Sequence, residues 1–374
     1  MTQAVITATG LFTPPESIDN AALVASFNTW VDAENARHAE AIARGEREPL
    51  AHSSEAFILK ASGIESRYVM EASGILDPAR MRPRIEERDN AALSLQAEMG
   101  LAAASQALEQ AAIRADQLDL IIVACSNLQR PYPAVAVELQ AALGAGGYAF
   151  DMNVACSSAT FAIDMATNAI RAGSLERVLV VNPEICSAHL DFRDRDSHFI
   201  FGDACTAVLL EADHLARERE HFTVLGTRLT TRFSNAIRNN FGFLNRLADS
   251  SADDKLFVQE GRKVFKEVCP LVAELILEHL ESQSLTGESV TRLWLHQANR
   301  HMNDLIARRV LGREASEREA PIILDRYANT SSAGSIIALH LHRDDLEEGD
   351  VGVVCSFGAG YSAGSVILRK GNAC

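Results

Sequence analysis

The sequence predicts an α/β fold built twice along one chain, with helices and sheets stacked in five layers (α-β-α-β-α). Three observations carry this. Wholly apolar stretches such as Leu118 to Cys125 have the length and composition of strands buried on both faces. These strands alternate with helix-length segments, the pattern of sheets covered by helices. Near residue 213 the alternation begins again, and each run closes on a hairpin-like pair of strands. We therefore divide the chain into residues 1–212 and 213–374. The repeat is one of pattern, with no evident identity between the halves.

In order, Ala4 to Gly10 reads as a short buried strand ending in a Gly-Pro loop. Asn28 to Glu55, rich in Ala, Glu, Arg and His and broken by Gly45 and Pro49, reads as an exposed helical excursion outside the core. Asp89 to Ala112 is Ala/Leu-rich, a helix with Asp89 as its cap. Tyr148 to Asn153 is a strand. The helix from Ala159 to Arg171 is small or apolar nearly all round, which places it in the shared middle layer. Strands follow at Arg177 to Asn182 and Ala204 to Glu211. The second run has a strand (Phe222 to Thr230), a variable loop, a helix (Gly261 to Glu281), a strand (Arg292 to Leu295) and a helix (Asn299 to Leu311). It ends with a helix (Ser335 to Arg343) and strands Val351 to Phe357 and Ser365 to Arg369, separated by a glycine turn.

The formal charge of −15 over 374 residues excludes a general nucleic-acid binder, whose affinity rests on basic phosphate contacts. No segment has the apolar length to cross a bilayer, and the start lacks the pattern of a signal peptide. Seven cysteines without CxxC pairs read as free thiols in a reduced, cytoplasmic protein. The histidines have no carboxylate or thiol neighbours at ligand spacing, so no metal is expected.

Cys156 follows a strand and opens a helix, where backbone N–H groups and the macrodipole favour a thiolate. The alternative is a buried small hydrophobe, which suits most of the other cysteines, Cys125 and Cys355 among them. His296 and Asn329 also lie just past strand ends, where catalytic groups collect in α/β sheets. Singly, each is as readily a structural hydrogen-bonder or a helix cap. The gap of 140 residues from Cys156 to His296 falls within papain-like spacing, yet the signature around those proteases' cysteine is absent. Gly358-Ala359-Gly360 leads into a strand and not a helix. It therefore reads as a tight hairpin that brings backbone amides near a reacting carbonyl, and not as a dinucleotide loop.

Together Val154-Ala155-Cys156-Ser157, Phe201-Gly202-Asp203-Ala204, Gly261-Arg262-Lys263, His296-Gln297-Ala298-Asn299, Asn329-Thr330-Ser331 and the terminal glycine turn resemble the 3-oxoacyl-[acyl-carrier-protein] synthase III family of the thiolase superfamily. Within it the likeness is greatest to the type that makes a β-ketodecanoyl product from a medium-chain acyl-CoA such as octanoyl-CoA. The resemblance implies a duplicated thiolase-like fold and a homodimer. It implies decarboxylative condensation of acyl-CoA with malonyl-acyl-carrier protein in fatty acid synthesis, with no cofactor. Cys156 would take the acyl group, the amides of Cys156 and Ala359 would form the oxyanion hole, and His296 and Asn329 would hold the malonyl thioester. Arg195, Phe57 and Arg262 would bind coenzyme A, with Phe57 and Ala61 standing where the family has a Trp and an Arg. Tyr132 would cap the partner's acyl tunnel.

Because the family's carrier protein is acidic and this chain is too, a local basic patch is required. Arg300 and Arg308, about 80° apart on the helix after His296, are the candidates, with Arg309 falling toward the apolar side. The alternative is three solvated surface arginines. Two other functions stay open: a condensing enzyme or acyltransferase of secondary metabolism with another acceptor, and a non-catalytic partner protein.

Overall fold

The computed structural model describes residues 2–242 and 255–371. Its N-terminal elements are β1 (Ala4–Phe12), β2 (Glu16–Asp19), α1 (Asn20–Arg37), α2 (Ala39–Ala43), α3 (Glu55–Ser62), β3 (Ser66–Val69) and α4 (Ser73–Leu76). Next come α5 (Leu95–Ala111), β4 (Leu120–Ala124), α6 (Val135–Leu143), β5 (Tyr148–Met152), α7 (Ser158–Arg171), β6 (Arg177–Ile185) and β7 (Asp203–Ala212). The remaining elements are β8 (His221–Ser234), β9 (Ile237–Asn239), β10 (Phe257–Gln259), α8 (Gly261–Ser282), β11 (Val290–Leu295), α9 (Arg300–Leu311), α10 (Leu324–Tyr327), α11 (Ala333–Leu341), β12 (Val351–Gly358) and β13 (Gly360–Gly371).

One pairing pattern occurs twice. β1 is antiparallel to β7, β7 antiparallel to β6, and β6 parallel to β4. Likewise β8 is antiparallel to β13, β13 antiparallel to β12, and β12 parallel to β11. The two sets join edge to edge through Val5↔Thr223 and Ile6↔Phe222, giving a nine-stranded order β11-β12-β13-β8-β1-β7-β6-β4-β5. Strand β4, wholly apolar, and β12, apolar but for Ser356, are buried at every position because helices cover both faces.

The layers follow from the three principal cores. Residues of α7 and α11 pack between the two half-sheets. Helices α5 and α6 cover β4, β6 and β7 from outside, and α8 and α9 cover β11 to β13. Alanines 159, 162 and 166 of α7 are fully buried, so the helix sits close to both sheets. It is not enclosed all round, however: Met165 is 45% exposed.

Two further expectations change. Helix α5 begins at Leu95 with Ser94 as its cap; Asp89 instead accepts from the Ala91 amide in a separate turn. The excursion from residue 28 is helical only to Ala43, and its first helix is not outside the core. Leu23, Phe27 and Val31, spaced four apart on α1, bury with Ile58 of α3.

Candidate active site

Cys156 sits in the turn between β5 and α7, His296 directly after β11, and Asn329 in the link between α10 and α11. The residues immediately before Cys156 and Asn329, Ala155 (φ 47°) and Ala328 (φ 54°), both have a positive φ, which is uncommon for a residue with a Cβ. All three side chains open on one cavity of about 460 Å³. Phe199, Phe201, Phe257 and Phe357 give it an apolar wall, while the exposed side chains of Arg262, Lys266 and His301 also line it.

The surroundings of Cys156 do not make it a resting thiolate. Burial pushes its thiol up to about 11, and the charge of Glu184 adds to the rise. The Ser331 hydroxyl, 3.4 Å from Sγ, and the backbone amides of Cys156 and Ala359 act the other way and offset only part of it. Cys156 also lies two residues ahead of α7, so desolvation outweighs the helix-terminus effect expected from sequence. The two amides that touch the sulfur are the pair expected to form an oxyanion hole. Gly358 permits this approach: a Cβ there would lie 2.7 Å from the Cys156 Cβ.

His296 is 2% exposed, and burial lowers its ring to about 4, so the imidazole is neutral at ordinary pH. It meets the Phe357 ring edge-on at 5.1 Å. The Asn329 amide is oriented by its neighbour: the Ser331 amide donates to Oδ1 at 2.9 Å. Nδ2 is thereby left as a donor without a partner among the described residues. Sequence reasoning missed Ser331, which contacts Cys156 and Asn329 at once and whose carbonyl acts on His296. Its place in Asn329-Thr330-Ser331-Ser332 was the available signal.

The remaining expected residues divide. The Arg195 guanidinium lies 4.1 Å from the Phe57 ring centroid, with Nε donating to the His52 carbonyl at 2.8 Å. The two sit beside the cavity through Asp196 and Ala61, yet they stack directly on each other, with no space for a base between them. Tyr132 is 82% exposed and lines no part of this chain's cavity. On α9, Arg300 pairs with Glu317 at 3.7 Å and Arg308 with Glu314 at 3.0 Å. Arg309 lies at the edge of the apolar face, where burial raises the Cys269 thiol and the arginine charge opposes that rise, yet its side chain is exposed and forms no ion pair among the described residues.

The comparisons with known proteins agree with one another. The sequence profile of 3-oxoacyl-[acyl-carrier-protein] synthase III matches residues 150–232, and that of its C-terminal part matches residues 280–370. The β-ketodecanoyl-[acyl-carrier-protein] synthase of Pseudomonas aeruginosa is 64% identical over 92% of this chain and 99% of its own length. The β-ketoacyl-[acyl-carrier-protein] synthase III of Brucella anthropi is 32% identical over 72% of this chain and 83% of its own. In three dimensions, the 3-oxoacyl-[acyl-carrier-protein] synthase III of Aquifex aeolicus covers 99% of this chain and 100% of its own, with a TM-score of 0.76 and 26% identity. The fold is thus the thiolase-like one expected, and the chain belongs to the 3-oxoacyl-[acyl-carrier-protein] synthase III family of condensing acyltransferases.

Proposed function

We propose that this chain condenses an acyl-CoA with malonyl-acyl-carrier protein, releasing CO₂ and 3-oxoacyl-acyl-carrier protein. The observation that carries the reading is the meeting of a cysteine and two neutral side-chain donors in one cavity. In the first half, the Cys156 sulfur attacks the acyl-CoA thioester. Its proton leaves with the coenzyme A thiolate as coenzyme A, and a new thioester forms on Cys156. Its carbonyl oxygen is served by the amides of Cys156 and Ala359.

In the second half, the malonyl thioester loses CO₂ and its electron pair becomes an enolate. That anion is best held by N–H groups carrying no opposing charge. Neutral His296, with its proton on the cavity-facing nitrogen, and Nδ2 of Asn329 are such a pair. The enolate carbon attacks the acyl-cysteine, a C–C bond forms, and the Cys156 sulfur leaves to regain a proton. No metal or redox group enters this balance, and none is proposed.

An eight-carbon primer is supported by the name of the 64% identical relative, since a ketodecanoyl product has two carbons more than its primer. Arg262, beside the cavity, and the Arg195–Phe57 pair are proposed to meet coenzyme A, and Arg300, Arg308 and Arg309 the carrier protein. A cytoplasmic homodimer, each chain built of halves 1–212 and 213–374, completes the reading. In it Tyr132 would reach the partner's acyl chain.

The test is intact-protein mass after octanoyl-CoA and then malonyl-acyl-carrier protein. One octanoyl adduct, absent in Cys156→Ala and discharged by the malonyl carrier, is expected. No adduct would mean a non-catalytic protein. An adduct that the malonyl carrier fails to discharge would mean another acceptor.

A further inference from the structure

One buried charge lies behind the cavity and touches both sides of the site. Glu184, in β6, is 1% exposed and has no cation beside it among the described residues. Its Oε1 accepts from the Ser126 amide at 3.0 Å, the Ser332 amide at 3.1 Å and the Ser332 hydroxyl. Its Oε2 accepts from the Ser126 hydroxyl at 2.6 Å. Four donors from two serines, with the Cys186 thiol 3.9 Å from Oε2 as a fifth, suit the ionised form, which only accepts. Ser126 belongs to the loop after β4, and Ser332 directly precedes α11. Next to Ser332 is Ser331, whose amide orients Asn329 and whose hydroxyl meets Cys156. Ser331 has φ 51°, a left-handed backbone that persists in a serine only when its surroundings hold it.

Among the described residues, the titratable groups that feel the Glu184 charge are thiols: Cys125 after β4, Cys156 before α7, Cys186 after β6 and Cys205 in β7. The carboxyl charge raises each of them, and burial raises the carboxyl itself to about 6. Protonation would remove the charge that strengthens every one of these bonds, and would turn Oε2 from an acceptor into a donor so that the Ser126 hydroxyl no longer donates to it. Glutamine has that same donor and shape.

We propose that Glu184 is a positioning residue for the condensation step: it ties the loop after β4 to the start of α11, and so holds Ser331 and the Asn329 amide in place against Cys156. The proposal rests on the reading of Cys156, His296 and Asn329 given above. Displacement of such a set costs turnover steeply even where no reacting atom is removed. Acylation, which does not use Asn329, should feel it little.

The full-length enzyme is acylated with octanoyl-CoA, isolated, and mixed with malonyl-acyl-carrier protein at several pH values, with discharge followed by intact mass. Wild-type discharge should slow as the pH falls through about 6. Glu184→Gln should acylate within about threefold of wild type but discharge about 10-fold or more slowly at neutral pH, with no bend near pH 6. Ser332→Ala removes a donor from the other side and should show the same discharge defect. The double variant should be no slower than the worse single one, because both break one linkage.

Normal discharge by Glu184→Gln, a persisting bend near pH 6 in that variant, or losses that multiply in the double variant would overturn the proposal. If Glu184→Gln does not fold, Ser332→Ala decides alone: slowed discharge with intact acylation supports the linkage, and normal discharge overturns it. A wild type that is never acylated or never discharged overturns the functional reading, and this proposal with it. A wild type that turns over beside an unaffected variant overturns this proposal only.

Discussion

Replacing Asn329 by aspartate should be worse than truncating it to alanine, although aspartate is the closer match in shape. Oδ1 accepts from the Ser331 amide at 2.9 Å, a bond that aspartate keeps, so the backbone need not move. What changes is the other atom: a donor facing the cavity becomes a charged acceptor. Alanine loses one anion-stabilising donor, worth about 10²- to 10³-fold or roughly 3–4 kcal/mol. Aspartate loses the same donor and adds repulsion of up to about 4 kcal/mol if its charge lies near 4 Å from the enolate at an effective dielectric of about 20.

Condensation by Asn329→Asp should therefore fall at least about 10-fold below Asn329→Ala, while acylation stays within about threefold of wild type in both. Asn329 is only 6% exposed, and such burial favours the neutral form of an introduced carboxyl. A protonated carboxyl is again a donor, so the ratio of aspartate to alanine rates should climb as the pH is lowered. The assay is single-turnover discharge of octanoyl-enzyme by malonyl-acyl-carrier protein between about pH 5.5 and 8. An aspartate variant that matches or exceeds alanine at high pH, with no change in the ratio on acidification, would refute the donor role of Nδ2.

On α9, Arg309→Glu should raise KM for malonyl-acyl-carrier protein more than Arg300→Glu or Arg308→Glu, because those two are already paired with Glu317 and Glu314. The effect should shrink with salt and leave acylation by acyl-CoA unchanged; equal effects of all three would contradict it. Across acetyl-, butyryl-, octanoyl- and dodecanoyl-CoA, kcat/KM should peak at octanoyl, by about 10²-fold or more over acetyl, at up to about 0.8 kcal/mol per buried methylene. A maximum at acetyl-CoA would defeat the medium-chain reading. Finally, burial lowers His189, His198 and His296 to about 4. Their stabilising share is present above the unfolded value near 6.5 and is lost as the pH falls toward 4, roughly 3 kcal/mol each. Glu184 and Asp203, raised to about 6, work in the opposite sense and offset part of this. Thermal unfolding should accordingly give a Tm that falls from pH 7 to 4.5, and a Tm that rises would contradict this balance.

The sequence conveyed the parts of the fold that depend on contiguous composition. Strand β4 is an uninterrupted apolar run, β12 is broken only by Ser356, and α8 carries its apolar stripe for 22 residues. Helix α6 went unread because Ala134 and Val135 follow Pro133 in a short Ala-rich stretch with little periodic contrast. The start of α5 was misplaced because Asp89 and Ser94 are equally good caps in sequence, and only packing of Leu95 and Met99 selects the second. Cys156, His296 and Asn329 were legible because each sits at a strand end in a motif of fixed order. Glu184 and Ser331 were not, since their importance comes from contacts across |i−j| separations of 148 and 175 residues. The height of the Cys156 thiol was likewise invisible, because it depends on how much water the fold removes.

All six cysteines described in the structure are free, and burial raises the pKa of every one. Peroxide and alkylating agents attack thiolates, so a set held as thiols is chemically quiet toward them. The nucleophile shares this quietness: at pH 7 a thiol near 11 is almost wholly protonated, and it reacts only with an electrophile that the cavity itself holds against the two amides. The same burial that slows the sulfur toward its natural thioester thus shields the enzyme from oxidants, and covalent inhibitors chosen for general thiol reactivity would miss Cys156 unless they also fill the apolar cavity beside it.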